Sequence, residues 1–190
     1  MATLACTPPA SPKLILITGI MAAGKSTVAQ KLAERLPNSV HLRGDLFRRM
    51  IINGQAEMGL ELSPVALAQL HLRYQIAAAA ANLYMAAGFT VVYQDIIIGP
   101  DLAEVVRFYP NYPLHVIVLC PNPTVVAARE ANRHKTGYGT MVVDDLDRVF
   151  RAETPRLGFW LDNSQLTVDE TVDAILANLE QARLQRKEDA

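Results

Sequence analysis

An α/β fold built on a parallel sheet is what this sequence predicts, and three observations predict it. Strand-like and helix-like segments alternate along the chain, which favours parallel strands joined by helical crossovers. Leu14-Ile15-Leu16-Ile17 is an unbroken apolar run, the pattern of a central strand covered on both faces. The chain has 190 residues, of which 51% are hydrophobic, enough for one well-packed core and no more than one domain of ordinary size.

Each element has a local reason. Lys25 to Leu36 reads as a helix with Val28, Ala29, Leu32, Ala33 and Leu36 on one face, stopped by Pro37. Val40-His41-Leu42 is a second strand ending near Asp45. A long helix opens with Ser63 as N-cap and Pro64 as its first residue, and ends near Gly88. Phe89 to Tyr93 is a third strand running to Asp95, and Leu114 to Cys120 is a fourth. Asn122-Pro123 starts the next helix, a further helix covers Val142 to Ala152, and Gly158 to Leu161 is a short fifth strand. Thr167-Val168-Asp169-Glu170 is a capping box before a last helix whose core stripe is Val168, Val172, Ile175, Leu176 and Leu179.

These segments make residues 13–184 one domain, with 1–12 as a flexible leader and 185–190 as a polar tail. The leader has three prolines and no basic residue, so it lacks the charged start of a secretory signal. The most apolar stretch, Ile76 to Val92, is mostly alanine, contains Asn82 and is interrupted by Gly88, so it is not a membrane span. Two distant cysteines, Cys6 and Cys120, make no disulfide framework, and the setting expected is cytoplasmic. A net charge of −1 gives no broad attraction to nucleic acid or anionic lipid. Nothing in the sequence sets the oligomeric state.

Between the first strand and the first helix stands Gly19-Ile20-Met21-Ala22-Ala23-Gly24-Lys25-Ser26, a full match to the phosphate-cradling pattern G-x-x-x-x-G-K-[ST]. Glycines give the backbone its unusual angles, successive N–H groups converge on phosphate oxygens, and the helix start adds its positive end. Lys25 is expected to reach the β- and γ-phosphates, Ser26 to place a hydroxyl on Mg2+, and Thr27 to meet an α-phosphate oxygen. The ligands this predicts are a nucleoside triphosphate and Mg2+.

In an open parallel sheet, ligands bind beyond the carboxyl ends of the strands, where Asp45 and Asp95 also fall. Asp45 is a candidate base for an attacking hydroxyl; its alternative is a helix cap for Leu46 onward. Asp95 is a candidate Mg2+ or substrate contact. Arg48 and Arg49 are candidates to hold a polar acceptor, and one of the two is expected to be surface only. Arg129 and Arg133 share a helix face at i, i+4, and Lys135 and the glycines of Thr136 to Thr140 follow, the pattern of a hinged lid over residues 129–141. The acceptor-binding segment is 45–63, which is apolar from Met50 to Ser63 and suits either an amphipathic acceptor or a packed cover. His41, His71 and His115 lie in apolar segments with no metal-ligand spacing between them, and Trp160 is expected to pack.

Taken together, Gly19 to Thr27, Asp45-Leu46-Phe47-Arg48, Asp95 and the Arg129/Arg133 pair resemble the small P-loop kinases. The group most similar is that of the chloramphenicol-phosphotransferase-like and tunicamycin-resistance proteins, related to zeta toxins and nucleoside monophosphate kinases. Trp160 to Ser164 and Leu166 to Val172 extend the likeness to the end of the fold. The resemblance implies a three-layer αβα sandwich of the P-loop NTPase type with a five-stranded parallel sheet in the order 2-3-1-4-5. It also implies ATP, Mg2+ and transfer to a hydroxyl, with Asp45 in the base position. No Asn-Lys-x-Asp guanine signature is present. Three readings stay open: a phosphotransferase acting on a small-molecule hydroxyl such as that of an antibiotic, a nucleoside or nucleotide kinase, and a binder that sequesters the antibiotic without chemistry.

Overall fold

The computed structural model describes residues 11–59, 61–132 and 143–185. The leader up to residue 10, the tail from 186, and Arg133, Lys135 and the glycine stretch of the expected lid lie outside the described residues.

Strand β1 (Leu14–Thr18) lies at the centre, with every residue buried. It pairs in parallel with β3 (Thr90–Gln94) on one side and β4 (Leu114–Leu119) on the other, Leu16 standing opposite both Tyr93 and Val116. Strand β2 (Ser39–Arg43) adds outside β3, and β5 (Phe159–Leu161) outside β4. The five strands run in the order β2-β3-β1-β4-β5, as the family resemblance implied. Continuous apolar runs make the three inner strands because both of their faces are covered.

Helices close the two faces. On one, α1 (Lys25–Arg35) and α7 (Val168–Ala177) pack Val28, Leu32, Val172 and Ile175 against Ile15, Ile17, Ile117 and Leu119. On the other lie α3 (Pro64–Ala86), α4 (Asp101–Val105), α5 (Pro123–Ala131) and α6 (Val143–Glu153), whose Tyr74, Met85, Leu102, Val126 and Phe150 meet Leu14, Leu16, Tyr93, Val116 and Val118. Fully burying side chains of this size contributes roughly 1.5–3 kcal/mol each. Trp160 belongs to this second core, its ring stacked 5.2 Å from Phe150 and capped by the Arg156 guanidinium at 4.0 Å.

The caps fall where the sequence puts them. Ser63 Oγ accepts from the Ala66 N–H, Asn122 Oδ1 from the Thr124 N–H, and Thr167 and Glu170 form the reciprocal box. Two short helices escape a periodicity reading, α4 and α2 (Gly44–Arg49). At five and six residues neither is long enough to show a 3.6-residue repeat. Helix α2 begins directly at the end of β2, with Arg43 as the N-cap, so Asp45 sits inside its first turn and is not the cap for Leu46.

Candidate functional site

The carboxyl ends of β1, β2 and β3 open into a cavity of about 360 Å³ lined by the β1–α1 loop, Asp45, Arg73, Gln94, Asp95, Ile96 and Arg129. Its volume is within the range of small-molecule sites. One side is the loop. Gly19 takes φ 141° and Gly24 φ 98°, and a Cβ on Gly19 would stand 2.3 Å from the Leu119 carbonyl oxygen, so only glycine fits there. Ala22 also adopts a left-handed conformation, at φ 60°, a cost of roughly 1 kcal/mol that a reading focused on glycines misses. Gly24 is the N-cap of α1, and the Ser26 and Thr27 N–H groups of the first turn have no carbonyl one turn behind them. They point an anion site at the cavity. Lys25 is buried, and its Nζ donates to the Gly19 carbonyl at 2.9 Å and the Ile20 carbonyl at 2.7 Å.

The other side is built from three separate stretches. Asp95 follows β3 and is 3% exposed. Its Oδ1 accepts from the Ile96 N–H at 2.8 Å, and its Oδ2 accepts from the Tyr93 hydroxyl at 3.1 Å and faces Arg73 Nε at 3.1 Å. Burial pushes its carboxyl above the ordinary range, and the charge of Arg73 opposes that push. Arg73 is itself 9% exposed, carried on the buried face of α3 beside Tyr74, whose hydroxyl donates to the Ile96 carbonyl at 2.9 Å. Gly44 packs so tightly on Asp95 that a Cβ there would lie 1.9 Å from Oδ2. That contact seats the start of α2, and with it Asp45, on the cavity wall. Asp45 is held by Arg49 at 2.6 Å and Arg43 at 3.6 Å. Arg129 reaches in from α5 and donates to the Ala23 carbonyl at 3.4 Å and the Asn163 carbonyl at 3.0 Å, while Asn163 Nδ2 donates to the same Ala23 oxygen.

Of the residues singled out in the sequence, Met21, Ala22, Gly24, Lys25, Ser26, Thr27, Asp45, Asp95 and Arg129 therefore line one cavity. Arg48 does not. Its Nη2 donates to the Ala56 carbonyl at 2.6 Å and ties the segment after α2 back onto that helix. Arg49 is the partner of Asp45. Arg73 escaped the sequence reading altogether. The signal was there: it falls on the same helical stripe as Ala66, Tyr74, Ala77 and Ala81, and a charge on an apolar stripe needs a buried partner. His71 lies 3.7 Å from Asp101, with Glu104 close by, a grouping that a separation of thirty residues hid from spacing rules.

A family model described as an AAA domain matches residues 14–152, most of the chain and all of the cavity wall. The chain belongs to that family. No curated protein matches its sequence significantly. Among solved structures, the tunicamycin resistance protein of Deinococcus radiodurans is similar, with a TM-score of 0.65 at 19% identity over 92% of this chain and 99% of that one. So is the Mycobacterium tuberculosis APS kinase in complex with AMPPNP and APS, with a TM-score of 0.64 at 19% identity over 91% of this chain and 99% of that one. A sugar kinase from a Janibacter species gives a TM-score of 0.67 at 15% identity, covering 90% and 96% of the two chains. At these identities the likeness is one of fold. It places the chain among P-loop kinase folds with a five-stranded parallel sheet and helices on both sides. Among the described residues, no helix is long and apolar enough to cross a membrane.

Proposed function

We propose that this protein is an ATP- and Mg2+-dependent phosphotransferase acting on a hydroxyl of a small molecule. The observation that carries the proposal is the sharing of one cavity by the phosphate loop with Lys25, the carboxylate of Asp45 and the guanidinium of Arg129. The solved neighbours that are kinases, one of them bound to AMPPNP, support the same reading.

Loop amides and the start of α1 would bind the β- and γ-phosphates, with Lys25 leaving the Gly19 and Ile20 carbonyls to meet them. The acceptor oxygen attacks the γ-phosphorus, the bond to the β–γ bridging oxygen breaks, and the hydroxyl proton passes to Asp45. Arg129 stands beside Ala23 and would face the charge that develops on the transferring group. Arg133 is assigned to the same lid. The donor set fits Mg2+, a hard cation that prefers oxygen: the exposed Ser26 hydroxyl stands in one cavity with the carboxylates of Asp45 and Asp95. Both Asp95 oxygens already have protein partners, so Asp95 would act through water or fix Arg73 toward the acceptor. When bound, the ion would neutralise charge between the phosphates. Segment 45–63 is assigned to the acceptor, with Arg48 shaping it through Ala56. The likeness to a tunicamycin resistance protein makes a sugar-nucleoside antibiotic the first acceptor to try.

A screen of ATP consumption against nucleosides, sugars and antibiotics, tunicamycin among them, tests the proposal. Acceptor-dependent ADP formation with phosphate on an acceptor oxygen is the expected result. An antibiotic that binds tightly in the presence of ATP and is never modified would overturn it in favour of sequestration. Transfer only onto existing phosphate groups would identify a nucleotide kinase.

A further inference from the structure

Helix α3 is largely apolar over its 23 residues; one face packs on the sheet, α2 lies beside it, and Gln69 ties it to the segment after α2 by accepting from the Ala56 N–H and donating to the Gly54 carbonyl. That buried face carries Tyr74, Ala77, Ala81 and Met85. The opposite face is bare. Leu83 is 74% exposed, Val65 59%, Leu72 46% and Ile76 38%, and Ala68, Ala79 and Ala86 are exposed between them. Positions 65, 68, 72, 76, 79, 83 and 86 advance by three or four residues, the step of a helix-packing seam. All seven are apolar, and Gln75, exposed at the edge of the seam beside Ile76, is polar but uncharged.

The order of large and small residues in this seam has a symmetry. If a second α3 lies antiparallel with the two-fold axis between residues 75 and 76, Val65 meets Ala86 and Ala68 meets Leu83. In the same register Leu72 meets Ala79, and Gln75 meets Ile76. Every large side chain of the outer pairs then stands over an alanine of the other copy, and each pair occurs twice. A two-fold interface requires this self-complementarity, residue i meeting j while j meets i. The axis also falls at the middle of Pro64–Ala86, so two copies overlap along the whole helix. Small residues opposite large ones let the axes approach within the roughly 8–10 Å of packed helices. A membrane surface is the poorer match, because the seam has no flanking basic residues on this helix beyond the buried Arg73.

We infer that this face is covered by a second copy of the chain, in a two-fold dimer that pairs α3 with α3 antiparallel. The helix is about 34 Å long at its standard rise, so one helix pair buries less than the roughly 800 Å² per partner of a standard interface. The dimer is therefore one that dissociates on dilution. Because α3 carries Arg73 and Tyr74 on its other face, dimerisation would also brace the acceptor side of the cavity.

Sedimentation velocity of the full chain, over a dilution series, tests the inference. The native protein is expected to move from dimer to monomer on dilution. Leu72→Glu or Ala79→Lys alone should leave it monomeric, since each puts an unpaired charge in the seam; both positions are exposed, so each variant should keep the thermal midpoint of the native protein diluted to monomer. Combined in one chain, the two substitutions bring opposite charges together twice in this register and should restore the dimer. A monomer at every concentration overturns the inference, as does a dimer indifferent to Leu72→Glu. Loss of the dimer in both single variants without recovery in the double variant would overturn the antiparallel register. Binding of the native monomer to neutral phosphatidylcholine vesicles would assign the face to lipid instead.

Discussion

The two walls of the cavity are built in opposite ways. The phosphate wall is nine consecutive residues shaped by their own backbone, with Gly19 against Leu119 and Lys25 folded onto the carbonyls of its own loop. The acceptor wall is assembled from the end of β2, the middle of α3 and the end of β3, and its charges hold one another: Asp45 with Arg49, Asp95 with Arg73. On the proposed function, a nucleotide would meet amides that need no rearrangement. An acceptor would instead have to compete with ion pairs already made. The exposed Asp45–Arg49 pair is worth only about 0.3–0.5 kcal/mol, so it yields easily. The buried Arg73–Asp95 pair does not, because each ion has left water and depends on the other. The difference suggests that Asp45 is the part of the acceptor wall free to do chemistry, and the Arg73–Asp95 pair the part that gives it shape.

Perturbing each wall in turn sharpens this contrast. Lys25→Ala should have the largest effect, abolishing measurable phosphoryl transfer and weakening nucleotide binding, since the γ-phosphoryl charge loses its nearest cation; native turnover in a γ-phosphate assay would remove Lys25 from the mechanism. Arg73→Gln should act on stability first. It leaves Asp95 buried and unpaired, a loss of about 3–5 kcal/mol that urea denaturation would register. If the variant is as stable as the native protein, the pair is not the frame described here. Gly44→Ala should cost less, about 1–3 kcal/mol, as α2 shifts to relieve its new contact with Asp95. Its more telling readout is kinetic: a raised KM for the acceptor with nucleotide affinity kept. Arg129→Ala should have the smallest effect, lowering turnover by roughly 10–100-fold. ATP affinity should change less, and a loss confined to binding would make Arg129 a clamp on ground-state nucleotide.

What the sequence disclosed follows the same division. The loop was legible because its residues are contiguous and each has one mechanical purpose. The sheet was legible because Leu14 to Ile17 is an unbroken apolar run, as a strand covered on both faces requires, and Phe89 to Tyr93 and Leu114 to Cys120 are mostly apolar and alternate with helical segments. The acceptor wall was legible only in part. Asp45 and Asp95 could be placed at strand ends, but α2 is too short for periodicity to reveal, and nothing local says that Gly44 is pinned by a carboxylate fifty residues away. Arg73 sits in a helix whose alanines drew attention to membrane spans, and its partner appears only when β3 is laid beside α3. Arg48 reads as an acceptor contact because it follows Asp45, whereas its hydrogen bond to Ala56 depends on a loop conformation that no pattern encodes.

The central claim, that a hydroxyl is phosphorylated with Asp45 as its base, is tested most directly by Asp45→Asn. The amide keeps the size and much of the hydrogen bonding of the carboxylate and removes the proton acceptor. Single-turnover transfer should fall by roughly 10²–10⁴-fold, the range for a general base, with ATP binding nearly intact. A variant that folds, binds ATP and transfers phosphate at the native rate would contradict the account, and would leave Asp45 as no more than the partner of Arg49.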